Sequence, residues 1–133
     1  MLEFFQSSEI TKVLLATFFA ILFLQSGIDK ITDYAGNLSW LTGHFGKSPL
    51  KNIVPMMLIT ITILEVLAGG FSGIGAVLML LGKGSQIAYF GAVLSSLSLV
   101  MLFFGQRIAK DYGGAAGLVP YFVVSIIAMG LLR

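Results

Sequence analysis

The sequence predicts an all-α integral membrane protein, a four-helix bundle of antiparallel spans with short connectors and one longer interfacial loop. Its 133 residues are 57% hydrophobic and only 11% charged. Four runs with few or no charged residues are each long enough to cross a bilayer as a helix, which takes about 20 residues. Because these runs account for most of the chain, we predict a single domain that covers residues 1–133.

The order of apolar and polar segments places the four spans. The first follows Lys12, and no small-residue cleavage site comes after it, so we expect an uncleaved helix rather than a signal peptide. The second has Pro55 in its first turn, where a missing N–H costs little. A tight turn at residues 82–85 joins the second and third spans as a hairpin. The predicted spans are about 11–32, 54–81, 86–104 and 115–132.

Glu65, the one acidic residue of the second span, needs a structural explanation. At about 3.6 residues per turn it shares a helix face with small side chains, and small residues let membrane helices approach closely. An ionisable group at this depth is costly unless it is paired, hydrogen-bonded or protonated, so we expect this face to point into the bundle. The face comprises Leu58, Thr62, Glu65, Ala68, Gly69, Ser72, Ala76 and Met79. The predicted helix-packing residues are Gly69, Gly73, Gly91 and Ser95.

A polar stripe ends the first span, where polar residues recur at spacings of three and four. Because the second span runs back antiparallel to the first, Gln25 reaches the depth of Glu65, with Asp29 and Lys30 nearer the surface. We predict a buried polar cluster here, as a candidate ligand-binding site. Its proposed members are Glu65, Gln25, Asp29, Lys30 and, from the fourth span, Tyr121.

These polar residues also have structural explanations. Asp29 and Lys30 fit equally as interfacial charges among lipid headgroups. Glu65 fits as a protonated, hydrogen-bonded packing residue with no chemistry. The hydroxyls of Ser95 and Ser98 in the third span either hydrogen-bond Glu65 or bond the carbonyls one turn before them, and the sequence leaves both arrangements open.

The connector at residues 34–52 is the longest polar segment. Its apolar residues Leu38, Trp40, Leu41 and Phe45 predict a short amphipathic segment that lies at the membrane interface, where Trp is favoured. The same connector holds the only histidine, His44, so it is also a place where a ligand or partner could be met.

The composition argues against several kinds of site. The chain has no cysteine and one histidine, so we predict no metal site, and a haem held by paired axial ligands is not expected. The net charge of +2 comes without a basic cluster, so we predict no nucleic-acid partner. The lipid bilayer is the partner that the composition does require.

Two stretches resemble the DoxX family of small four-helix bacterial membrane proteins, and most of all its Bacteroidetes-type members. They are Phe23-Leu-Gln-Ser-Gly-Ile-Asp-Lys-Ile31 and Leu64-Glu-Val-Leu-Ala-Gly-Gly-Phe-Ser-Gly73. The connector at residues 110–117 departs from the family pattern. The resemblance implies a multi-pass protein of the bacterial inner membrane, in a family named for proteins associated with quinone-linked sulfur oxidation and terminal oxidases.

Residues and resemblance together support three functional hypotheses. The first is a non-catalytic accessory or scaffold subunit of a larger membrane complex, with no cofactor and no activity of its own. The alternative is a quinone- or lipid-binding subunit of a membrane oxidoreductase, in which Glu65 exchanges a proton with the ligand. The third is a small transporter or channel, which the sequence supports least because no broken or repeated spans are visible.

Overall fold

The structure is a computed structural model that describes residues 2–133, and it confirms the all-α fold class. Four of the helices are long and apolar enough to cross a membrane, and they are α2, α4, α5 and α6. The chain is therefore a multi-pass membrane protein. The helices are α1 (Leu2–Gln6), α2 (Ser8–Thr32), α3 (Tyr34–His44), α4 (Val54–Leu80), α5 (Gln86–Ile108) and α6 (Tyr112–Leu132).

The first half of the chain holds more helix than the sequence predicts. Helix α2 begins at Ser8, before the predicted start near residue 11, because Ser7 caps it by accepting a hydrogen bond from the Glu9 backbone N–H at 3.2 Å. Most of the long connector folds as α3. Asp33 caps α3 with its side chain, which accepts from the Gly36 N–H at 3.3 Å.

The second half of the chain has a shorter third connector than predicted. Helix α5 continues past residue 104 to Ile108, since charged and amide side chains can extend a helix into the headgroup region. Only residues 109–111 join it to α6. Lys110 makes this possible with a left-handed φ of 63°, and Asp111 then caps α6 by accepting from the Gly114 N–H at 2.9 Å.

Helix α4 lies between α2 and α5, and α5 in turn packs against α6. Glycines set the distance between α2 and α4. A Cβ atom added to Gly69 would lie 2.7 Å from the Leu24 backbone nitrogen, and one added to Gly73 would lie 3.6 Å from the Ala20 Cβ. The Gly69–Gly73 step therefore faces α2, as expected of small residues between membrane helices.

The contact between α4 and α5 is closer still. A Cβ atom on Gly75 would clash with the Ala88 backbone nitrogen, and one on Gly91 would lie 2.7 Å from the Ser72 backbone nitrogen. The two backbones thus touch at these positions, where no larger side chain fits.

The outer faces of the long helices are covered with exposed aliphatic side chains. On α4 the face opposite Glu65 carries Ile63 and Ile74, which are 55% and 58% exposed. In water such a surface would be unfavourable, whereas in a bilayer it meets hydrocarbon. The distribution of burial on α4 therefore agrees with a helix that turns its small and polar residues inward.

The close approach of α4 and α5 predicts that Gly75→Ala destabilises the bundle by about 1–3 kcal/mol, the usual cost of overpacking. The added methyl group meets backbone, which cannot rotate away as a flexible side chain can. Gly70→Ala is the control, because nothing lies within 4 Å of its added Cβ. Unfolding of both variants by sodium dodecyl sulfate in mixed micelles measures the difference, and equal stability would contradict the prediction.

Candidate functional site

Glu65 takes part in a buried three-residue network between α2 and α4. The Lys30 ammonium nitrogen lies 2.8 Å from Glu65 Oε1. Ser26 donates its hydroxyl proton to Glu65 Oε2 at 2.8 Å and accepts a hydrogen bond from Lys30 at 2.8 Å. The three side chains thus form a closed triangle of polar contacts at membrane depth.

The network has the geometry of an ion pair. Glu65 is 2% exposed, and the Lys30 side chain is 15% exposed. The Lys30 ammonium approaches Oε1 at a distance of 2.8 Å but not along a hydrogen-bonding direction, so Oε1 receives no hydrogen bond from the described residues. We treat the contact as ionic, because Coulomb attraction depends on distance rather than on angle. In a low-dielectric interior, the attraction between the two charges offsets the cost of removing each of them from water.

The sequence brings this network to a point where the two helices meet. Ser26 and Lys30 are four residues apart and therefore lie on one face of α2. Gly27 sits beside them, and a Cβ atom there would lie 2.7 Å from Val66 Cγ2 and 3.2 Å from the Val66 backbone nitrogen. The absence of a side chain at Gly27 lets α2 approach α4 next to Glu65, so that the polar side chains reach each other.

The structure brings Lys30 to Glu65 but leaves the other proposed members outside the network. Gln25 and Asp29 are both exposed, and Asp29 instead accepts a hydrogen bond from Asn37 at 3.3 Å. Tyr121 is 38% exposed and stacks on Phe18 with ring centroids 6.1 Å apart. Gln25 does not reach Glu65 because consecutive side chains point about 100° apart on a helix with about 3.6 residues per turn, so the residue next to Ser26 is turned away from α4.

Ser26 is the network member that sequence reasoning missed, although it belongs to the polar stripe at the end of the first span. It lies one residue from Gln25, and hydropathy alone does not choose between two adjacent polar side chains. The sequence feature that points to Ser26 is its spacing of four residues from Lys30, which places both side chains on one face of the helix.

The serines of α5 adopt one of the two arrangements that the sequence left open. Ser95 donates to the Gly91 carbonyl at 2.7 Å, and Ser98 donates to the Leu94 carbonyl at 2.9 Å. Both hydroxyls are therefore satisfied within their own helix and do not bond Glu65. Ser95 and Gly91 are buried in the bundle.

A cavity of about 570 Å³ lies beside the ion pair, at the end of the bundle that carries α3. It is open on one side, and its wall is largely apolar. Ligand pockets usually measure about 300–1,000 Å³ and combine an apolar wall with a few polar groups, so this cavity fits the general description of a small-molecule site. The polar side chains in its lining are Lys30, Asn37, His44 and Gln106.

His44 joins α3 to the end of α5 at the polar end of the cavity. Its Nε2 lies 2.7 Å from Gln106 Oε1 and 3.7 Å from Asp111 Oδ2. Trp40, one turn earlier on α3, stacks on the His44 ring with centroids 4.6 Å apart. These contacts hold α3 across the bundle end, and the sequence indicated them only through the presence of Trp and His in one connector.

Comparisons with protein-family models, curated proteins and solved structures found no match for this chain. The class of this protein is therefore defined by its fold and by the geometry of its site. The chain is a multi-pass helical membrane protein with a buried Lys–Glu ion pair beside an apolar cavity.

The ion pair predicts a stability pattern for single and double substitutions. Glu65→Gln and Lys30→Met should each destabilise the protein by about 3 kcal/mol, because each leaves one buried charge unpaired. The double variant should lose much less than the sum of the two, since neither charge remains.

Unfolding in mixed micelles measures this coupling. Glu9→Gln is the matched control, because Glu9 pairs with Lys12 at 3.2 Å where both side chains are more exposed, and its loss should cost under about 1 kcal/mol. Additive losses in the double variant would show that the two residues are not energetically paired.

Proposed function

We propose that this protein binds an apolar molecule with a small polar head group, of the quinone or lipid class, in the cavity beside α3. The observation that carries the proposal is the cavity itself, with its volume of about 570 Å³, apolar wall and polar side chains. This corresponds to the ligand-binding part of the second functional hypothesis from the sequence, without the proton exchange by Glu65. It requires no chemistry by the protein's own residues.

The surroundings of the cavity support a ligand that arrives through the bilayer. Three lining side chains of α5, Val100, Met101 and Phe104, are 50%, 39% and 57% exposed. In a membrane these residues lie next to hydrocarbon, so the long tail of an amphiphile can follow the α5 surface into the cavity. Its head group then meets the polar residues at the end that carries α3.

In this proposal Lys30, rather than Glu65, contacts the ligand. Lys30 lines the cavity, whereas Glu65 lies behind it and contacts Lys30 and Ser26. Glu65 then serves to neutralise and orient the ammonium group, as a positioning residue. A proton-exchanging role for Glu65 would require transfer through Lys30 or Ser26, and no direct contact between Glu65 and the cavity supports it.

The wider setting of the protein is also a proposal. The resemblance of its first and second spans to the DoxX family supports a location in the bacterial inner membrane and an accessory role in a larger membrane complex. A four-helix bundle with a ligand cavity that opens at its surface fits a subunit that presents its ligand to a larger partner. In this form the accessory and ligand-binding hypotheses are compatible.

The proposal predicts that an amphiphile remains bound when the protein is gently extracted from its own membrane. Native mass spectrometry should detect a stoichiometric apolar molecule on the intact protein, together with any stably associated subunit. Gly105→Leu should abolish the retained mass, because Gly105 lines the cavity and its added Cβ would lie 3.4 Å from Phe45 Cζ, so that the larger side chain fills the space.

Gly130→Leu is the control for this experiment. It makes the same substitution on α6 at an exposed position with nothing within 4 Å. If the wild-type protein carries no small molecule, or if both variants retain it equally, the proposed use of the cavity is overturned.

A further inference from the structure

The polar end of the cavity holds a hydrogen-bond donor that is only partly used. The Lys30 ammonium group has three protons. One is donated to Ser26 Oγ at 2.8 Å, whereas Glu65 Oε1, also at 2.8 Å, is an ionic partner that does not lie along a hydrogen-bonding direction. The remaining polar contact is a long one, 3.5 Å to the Ser26 backbone carbonyl. One N–H of Lys30 is therefore available to an oxygen atom of a ligand in the cavity that Lys30 lines.

His44 supplies the complementary acceptor. Two oxygen acceptors face its Nε2, Gln106 Oε1 at 2.7 Å and Asp111 Oδ2 at 3.7 Å, and both favour a proton on that nitrogen. In the neutral ring the other nitrogen, Nδ1, then carries a lone pair. Nδ1 makes no hydrogen bond with the described residues, so it can accept a hydrogen bond from a donor group on a ligand in the cavity.

Among the described residues, the cavity lining contains one lysine or arginine side chain, Lys30. Lys30 is matched by Glu65 at 2.8 Å, and Asp111 lies close to His44. Asp29 lies next to Asn37, whose amide donates to its carboxylate at 3.3 Å. Arg107 is exposed and lies over the Tyr112 ring, 4.4 Å from its centroid, and it does not line the cavity. Among the described residues, a phosphate or carboxylate head group would therefore find no unpaired lysine or arginine in the cavity lining to offset the cost of its desolvation.

We propose that the cavity selects an uncharged head group that offers an oxygen acceptor to Lys30 and a hydroxyl donor to His44. This inference rests on the proposed function and specifies the ligand class. Two sources supply that chemistry in a membrane, a quinol and a neutral glycerolipid such as a diacylglycerol. Anionic phospholipids have similar apolar tails, so only the charge of their head group disfavours their binding.

The sole tryptophan provides the signal for a direct test, since Trp40 lines the cavity and stacks on His44. The full-length protein in neutral maltoside micelles is titrated with dioctanoylglycerol, dioctanoyl phosphatidylglycerol, and a short-chain benzoquinol with its quinone. Dioctanoylglycerol or the quinol should bind at least about tenfold more tightly than phosphatidylglycerol, a difference of about 1.4 kcal/mol. Gly105→Leu, with the cavity filled, should abolish the Trp40 response and so control for partition into micelles.

Two variants test the separate roles of the residues. His44→Phe keeps a ring against Trp40 but removes the acceptor, and it should weaken binding of the hydroxyl-bearing ligands about tenfold, as expected for one lost hydrogen bond. Glu65→Gln leaves the Lys30 charge uncompensated, so it should raise the affinity for phosphatidylglycerol. Glu9→Gln, which removes an acid from the exposed pair with Lys12, should change neither.

The outcomes separate this inference from the proposed function. Tighter binding of phosphatidylglycerol by the wild-type protein would overturn the uncharged head group but leave the cavity as an amphiphile site. Equal binding of quinol and quinone, with no effect of His44→Phe, would overturn the acceptor role of His44. If none of the probes binds in a manner sensitive to Gly105→Leu, both proposals fail. Binding of the quinol alone or of dioctanoylglycerol alone supports the inference and identifies the source of the head group.

Discussion

A carboxylate inside a membrane helix is tolerated only where another group compensates its charge, and in this protein the compensation ties two helices together. Glu65 of α4 contacts Lys30 of α2 at 2.8 Å, and Ser26 bonds both. These contacts fix the depth and the rotation of α2 relative to α4, because a shift or rotation of either helix would leave a buried charge without its partner. The ion pair thus sets the register between α2 and α4 as well as their stability, a role that buried polar groups have in other helical assemblies.

Around this fixed point, the distribution of glycine decides where the bundle is tight and where it is open. Gly69, Gly75 and Gly91 bring α4 into backbone contact with its neighbours on the side of the ion pair away from α3. Between Val54 and Glu65, α4 has no glycine, and neither does α5 between Leu99 and Gly105. Large side chains there keep the helices apart, and the space between them is the cavity.

Helix α3 gives this open end its chemical character. It contributes Asn37, Trp40 and His44 to the cavity lining, and it is held to α5 by the contact between His44 and Gln106. None of its residues is buried, so the helix depends on a few polar and stacking contacts rather than on a core of its own. An element held in this way is among the easier parts of a fold to displace, which suits a segment that lies over a ligand site.

The sequence by itself determined the all-α membrane fold and the inward-facing side of α4, because hydropathy and helical period are local properties that residues such as Glu65 and Gly69 carry wherever the helix packs. Only the tertiary structure decided which side chains meet. Ser26 rather than Gln25 reaches Glu65 across 39 residues of chain, and His44 reaches Gln106 across 62. Such contacts depend on the relative rotation and depth of separate helices, which glycine contacts and one ion pair set together and which no single segment encodes.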